Sequence, residues 1–211
     1  MLVGYLGGTF DPVHKGHLNV ARQILARTPL REVRLVLAAR PGHRATPVAD
    51  VAHRWAMLKL ACESGGDARL IPDDTELDRQ GPSYTIDTLL QVHKRGQNWL
   101  PCWILGWDAF VTLHQWYRWE EIMEFCNLLV VERPGQNELG VPNEIRRLLE
   151  RHEADELSLE RMGQIVRLDI PTLNVSATQV RDHLAHQGSV EELLDDPVHR
   201  YIIREGLYDA Q

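Results

Sequence analysis

Three cysteines in 211 residues, Cys62, Cys102 and Cys126, stand far apart and form no C-x-x-C pair. That excludes a disulfide-stapled scaffold and a paired-thiol redox or metal motif, and it leaves three reduced thiols, each within an apolar stretch. Also missing is any run of about 18 apolar residues, the length a membrane-spanning helix needs. The opening MLVGYL is apolar, but it is too short and lacks the basic flank of a signal peptide. Positive charge is scarce as well: 23 Lys and Arg against 30 Asp and Glu give a formal charge of −7. A broad basic face that coats nucleic acid is thereby excluded, whereas a locally positive pocket for a small anion is not. There is no Pro/Gly-rich linker, internal repeat or low-complexity segment. The expectation is a soluble, cytoplasmic protein with one domain over residues 1–211 and a helical C-terminal part from about residue 176.

What is present is an ordinary globular balance, 44% apolar and 25% charged residues, with ample length to bury a core. Short apolar runs read as strands: LVGYL (2–6), VRLVLA (33–38), WILG (103–106), NLLVV (127–131) and IVRLDI (165–170). Several are apolar at successive positions, as when both sheet faces are covered. Between them, residues 17–27, 53–63, 84–94 and 142–152 carry helical periodicity. The alternation predicts an α/β fold with a doubly wound, mainly parallel sheet. After it come three consecutive helices with start signals at Ser176, at a Ser189/Glu192 capping box and at Asp196 before Pro197. Ligands of such sheets bind beyond the carboxyl ends of the strands, where irregular segments lie near residues 40–48 and 72–82.

The first strand-to-helix corner is GGTFDPVHKGHL, residues 7–18. Unpaired N–H groups and about half a positive charge at a helix start make an anion site. Gly7 and Gly8 allow close backbone approach, Asp11-Pro12 turns the chain, and Gly16 keeps the loop wall thin. His14 precedes the helix and His17 falls in its first turn, so the two rings share a face and form a donor pair for phosphate oxygens. No G-K-[ST] follows, so this is not a Walker loop. A metal bound by the two histidines is the competing reading, but no third ligand stands nearby. At the other end, SATQVR (176–181) repeats the physics: Ser176 suits an N-cap, and Thr178 and Arg181 share one face.

GGTFDPVHKGH together with VSATQVR resembles the nucleotidyltransferases related in fold to class I aminoacyl-tRNA synthetases. HRWAMLKLA (53–61), ELDRQGPSYTIDTL (76–89), ILGWDAFVTLHQW (104–116) and VVERPG (130–135) narrow the resemblance, which runs over essentially the whole chain, to the bacterial nicotinate-mononucleotide adenylyltransferases. Pro41-Gly42-His43-Arg44 departs from the family's P-P-H-K, keeping the positive charge but changing its donor geometry. Val175 stands where an Ile is common.

The resemblance implies a Rossmann-like nucleotidyltransferase fold and adenylyl transfer from ATP to nicotinate mononucleotide, giving deamido-NAD and pyrophosphate. It implies catalytic roles for His17 and His14. Gly7, Gly8, Thr9, Phe10, His14, His17, Ser176, Thr178 and Arg181 would hold ATP. Tyr84, Thr85, Asp108, Trp116, Arg44 and Arg133 would hold the mononucleotide: N–H groups of Tyr84 and Thr85 on the carboxylate, Trp116 on the pyridine, Asp108 on ribose, the arginines on phosphate. Mg²⁺ is expected to arrive with ATP, held by phosphate oxygens and water, with no protein metal cluster. The partners are these small molecules, without nucleic acid or membrane, and self-association into a homo-oligomer is left open. His183 and His186 read as solvent-facing, and Trp99, Trp103, Trp107 and Trp119 are structural or carry no assigned role. Rival readings are a related transferase with another acceptor, such as pantetheine phosphate, and a non-catalytic sensor of NAD precursors.

Overall fold

Six apolar runs pair side by side, all parallel, in the computed structural model, which describes residues 1–42, 46–95, 98–132 and 140–209. The strands are β1 (Leu2–Gly8), β2 (Val33–Leu37), β3 (Leu70–Asp73), β4 (Leu100–Gly106), β5 (Asn127–Glu132) and β6 (Ile165–Asp169). Their order is β3-β2-β1-β4-β5-β6. The helices are α1 (Lys15–Arg27), α2 (Val51–Ser64), α3 (Thr85–Lys94), α4 (Trp107–Phe110), α5 (Ile122–Phe125), α6 (Asn143–His152), α7 (Ala177–Ala185) and α8 (Asp196–Glu205).

Both faces of the sheet are buried, which is why the strands read as continuous apolar runs. Leu2, Cys102, Ile104, Leu129 and Val131 face α1, α2, α7 and α8, while Val3, Tyr5, Trp103, Leu105, Leu128 and Val130 face α3 and the short helices that follow β4. The C-terminal helices belong to the first face through Val180, Leu184, Val198 and Ile202. All three cysteines are buried and unbridged. Burial pushes the Cys62 and Cys102 thiols up to about 12, so neither supplies a thiolate near neutral pH.

The structure differs from the sequence expectation in two places. β3, LIPD, is four residues long with a proline inside it, too short for a periodic signal. It survives as the edge strand beside β2, where a missing N–H costs least. The helix expected over residues 189–196 is one turn: the N–H groups of Leu193 and Leu194 both donate to the Val190 carbonyl, at 2.9 and 2.8 Å. Its three apolar residues are buried, and the Leu193 carbonyl accepts from the Lys15 N–H at 2.9 Å instead of continuing a helix. α8 then starts from an Asp195 cap, with Pro197 in its first turn.

β1 connects outward through β2 on one side and has β4 on the other, so the strand order reverses between them. A crevice opens at that point beyond the strands' carboxyl ends. On the β2 side of β1 lies Arg54 of α2, a fully buried arginine. Its Nε donates to Ala49 O at 3.1 Å, its Nη1 to Thr9 O and Ala38 O, both at 2.8 Å, and its Nη2 to Ala39 O at 3.1 Å. One guanidinium thus joins the loop after β1, the end of β2 and the entry to α2. Replacing it leaves several buried carbonyls without a donor, each worth about 1–3 kcal/mol. Arg54→Met is expected to lower unfolding free energy by about 3–5 kcal/mol in urea denaturation; a loss below about 1 kcal/mol would contradict this role.

Candidate active site

The crevice is a cleft of about 470 Å³. Leu6 of β1 and Ile104, Leu105 and Gly106 of β4 form its floor. His14, Gly16, His17 and Val20 line one wall, and Thr172, Leu173, Val175, Ser176, Ala177 and Thr178 the other. Trp107 and Asp108 close the end. Two helix N-termini, those of α1 and α7, therefore face a common space from opposite sides, with apolar residues between them. A nucleoside fits the apolar floor and an anion the two helix ends.

Local sequence explains the first wall. His14 is the N-cap of α1 and His17 stands three residues on, so their rings stack with centroids 3.7 Å apart and planes 28° apart. The backbone N–H of His14 donates to His17 Nδ1 at 3.2 Å. A nitrogen that accepts carries no proton, so the neutral ring holds its hydrogen on Nε2 and acts as a donor there. Burial lowers the His14 pKa to about 4, which keeps that ring neutral at pH 7. Gly16 fits because a Cβ there would stand 3.0 Å from His14 Nδ1.

Behind the rings lies Phe10, buried and in a left-handed backbone conformation (φ 49°) that costs a non-glycine residue about 1–2 kcal/mol. Its ring meets His17 edge-on at 4.9 Å. A Cβ on Gly8 would come within 2.7 Å of that ring, and one on Gly7 within 2.7 Å of Trp103. Both glycines make room for aromatic packing, and neither lines the cleft. Thr9 gives its carbonyl to Arg54.

The second wall is built by the Ser176 cap, whose Oγ accepts from the Gln179 N–H at 3.1 Å, as the sequence leads one to expect. Arg181 stands behind it rather than in the cleft lining. Its Nη1 donates to the Asp11 carbonyl at 2.7 Å and its Nη2 to Thr178 Oγ1 at 3.4 Å, so it ties the two motifs together across 170 residues.

The sequence marks Asp11 only as a turn-former before Pro12. It is buried, and besides holding Arg181 it accepts from the Val48 N–H at 2.7 Å, the Ala49 N–H at 3.1 Å and Tyr208 Oη at 2.7 Å. An Asp-Pro in a loop signals a turn; nothing local signals partners 37, 38 and 197 residues away.

Of the residues expected on the acceptor side, Asp108 lines the same cleft as the histidines, whereas Tyr84 and Thr85 do not. Trp107, by sequence structural or without an assigned role, lines it too. Tyr84 caps α3 and Thr85 opens it, but the Tyr84 N–H is engaged by the Pro82 carbonyl at 3.1 Å. Trp116 is half-buried against the second sheet face, and its neighbour Tyr117 packs on Tyr84 with ring centroids 4.5 Å apart. Ser83 and Arg40 exchange hydrogen bonds at 2.8 and 3.0 Å, joining the loop after β2 to the start of α3. Arg44 and Arg133 lie outside the described residues. His183 and His186 each meet a nearby backbone carbonyl at 2.8 Å. Among the described residues, no group of three or more His, Cys, Asp or Glu is arranged to hold a metal.

Residues 5–183 match the model of the cytidylyltransferase-like family. A protein of Pseudomonas fluorescens named "Probable nicotinate-nucleotide adenylyltransferase" is 44% identical over 99% of this chain and 97% of its own. One of the same name from Serratia proteamaculans is 39% identical over 99% and 96%. Among solved structures, Plasmodium falciparum nicotinic acid mononucleotide adenylyltransferase complexed with NaAD has a TM-score of 0.76 at 18% identity, covering 100% of this chain and 98% of its own.

The depressed His14 pKa has a consequence for stability. The unfolded chain takes up this proton near pH 6.5 and the folded chain only near 4, so the unfolded state binds more protons in between and stability falls as pH drops through that window. Between pH 7 and pH 4.5 the wild type is expected to lose about 2–3 kcal/mol more than His14→Gln in paired denaturation curves. Equal losses would contradict the buried neutral ring.

Proposed function

The chain belongs to the cytidylyltransferase-like family and, within it, to the nicotinate-nucleotide adenylyltransferases, and from that premise we propose that its cleft aligns ATP for attack by nicotinate mononucleotide. The reaction gives nicotinate adenine dinucleotide and pyrophosphate, a step of NAD biosynthesis, carried out by one cytoplasmic nucleotidyltransferase domain. The observation that carries this reading is the pair of helix N-termini, α1 with its stacked histidines and α7 with its Ser176 cap, facing one cleft.

The chemistry needs little covalent help from the protein. The nucleophile is the acceptor's own phosphate, whose second pKa near 6 leaves it mostly a dianion at pH 7. One of its oxygens attacks the α-phosphorus of ATP, the new P–O bond forms as the α–β bridge breaks, and pyrophosphate leaves with the electron pair. What limits the rate is bringing two anions into line and stabilising the charge that develops. A unit charge pair about 4 Å apart at an effective dielectric of about 20 interacts by roughly 4 kcal/mol, so a few fixed donors matter greatly.

His17, with its ring proton on Nε2, donates to the α-phosphate. His14, neutral and packed against it, orients that ring and the triphosphate. Ser176, Thr178 and the N–H groups that open α7 take the β- and γ-phosphates and then the leaving group. Arg181 holds α7 against the histidine loop through Asp11. Asp108 accepts from ribose hydroxyls of the nucleoside in the cleft. Gly7, Gly8, Thr9 and Phe10 shape the loop from behind. On the acceptor side, the start of α3 at Thr85 takes the nicotinate carboxylate, Trp116 supports the pyridine ring, and Arg44 and Arg133 take the mononucleotide phosphate. Asp108 is the one carboxylate among the described cleft residues, a donor set that suits Mg²⁺ carried in by phosphate oxygens and water. That ion supplies charge neutralisation on the triphosphate.

Pyrophosphate release with ATP and Mg²⁺ tests the reading. Nicotinate mononucleotide is expected to outpace nicotinamide mononucleotide and phosphopantetheine strongly, because N–H donors placed for a carboxylate meet in the amide only one neutral acceptor oxygen beside an NH2 donor. Release with phosphopantetheine alone would overturn the acceptor assignment. His17→Ala is expected to lower kcat by about 10²–10³ with ATP affinity changed less than tenfold; near wild-type turnover would remove His17 from its role.

A further inference from the structure

Tyr208 sits in the short turn after α8 (Leu207–Asp209), far along the chain from the histidine loop, and is buried. Its hydroxyl donates to Asp11 Oδ1 at 2.7 Å, inside the loop that carries Phe10 and His14. Gly206 at φ 61° and Tyr208 itself at φ 61° reverse the chain after α8 and turn the ring inward, where it joins the first-face core. α8 is anchored there by Val198 and Ile202, so the hydroxyl is delivered from a fixed frame.

The acceptor of that hydrogen bond is a junction. Asp11 Oδ1 is shared by Tyr208 and the Ala49 N–H, Oδ2 takes the Val48 N–H, and the Asp11 carbonyl takes Arg181. Val48 and Ala49 belong to the segment after β2, Arg181 to the helix assigned to the leaving phosphates, and Phe10 next door abuts His17. We infer that Tyr208 is a positioning residue for catalysis: its hydroxyl fixes the Asp11 carboxylate, and through it the spacing between the histidine loop, α7 and the entry to α2. Packing and hydrogen bonding are separable here, since phenylalanine keeps the ring and removes only the donor.

This inference rests on the adenylyl-transfer reading for its kinetic readout alone. Tyr208→Phe is expected to lower kcat about tenfold, the scale of losing one hydrogen bond to a charged acceptor. KM for ATP and for nicotinate mononucleotide should stay within about threefold. Amide hydrogen exchange at Val48 and Ala49 should accelerate by a similar factor, and this can be read whether or not the protein turns over. In an Asp11→Asn background, the same change should cost little further. If Tyr208→Phe turns over within twofold of wild type with both amides equally protected, or if the two substitutions add independently in kcat, the inference is overturned. Loss of activity in Tyr208→Ala with full activity in Tyr208→Phe would also overturn it, by assigning the residue to packing.

Discussion

A buried arginine and a buried aspartate, placed where the sheet's strand order reverses, hold this site together. Arg54 spends its guanidinium on four backbone carbonyls and Asp11 accepts from two backbone N–H groups and a phenol. Neither forms an ion pair with the other, yet Asp11 offsets part of the burial that lowers the Arg54 pKa. Buried loop backbone needs partners for its polar groups; here these two side chains take the Thr9, Ala38, Ala39 and Ala49 carbonyls and the Val48 and Ala49 N–H groups. Beside them a left-handed Phe10 rests edge-on against His17, and the His14 and His17 rings stack in one orientation.

Adenylyl transfer to a phosphate is chemistry for which such rigidity suffices. Substrate dianions repel, so the protein's part is to fix donors where charge accumulates and to exclude alternative alignments. α1 and α7 come from opposite ends of the chain, and their N-termini end on the same cleft. The contact between Arg181 and the Asp11 carbonyl keeps those helix ends at constant separation. The Arg40–Ser83 exchange and the Tyr84–Tyr117 packing gather the loops after β2, before α3 and after β4 into a second neighbourhood. Asp108, just after β4, lines the cleft with the two histidines.

What could be read from sequence was whatever local stereochemistry encodes. The H-x-G-H corner and the Ser176 cap follow from helix-start preferences, and both stand where those preferences place them. The alternation of strands and helices gave the parallel sheet. β3 escaped because four residues with a proline carry no period, and the turn at residues 191–194 imitated a helix because its three apolar residues have helical spacing for one turn only. What the sequence did not disclose at Gly7 and Gly8 is that their missing side chains accommodate Trp103 and Phe10. Asp11, Arg54 and Tyr208 were illegible for a different reason: their partners are distant in sequence, and an Asp-Pro, an Arg within an apolar helix stripe and a Tyr after a glycine each have a commonplace local explanation.

The most direct test of the account is a crystal structure with a non-hydrolysable ATP analogue and nicotinate mononucleotide bound together. The account predicts the α-phosphate within hydrogen-bond distance of His17 Nε2, the β- and γ-phosphates against the N-terminus of α7, and the pyridine ring beside Trp116. A triphosphate seated away from both helix N-termini, for instance in the groove between α2 and α8, would contradict it.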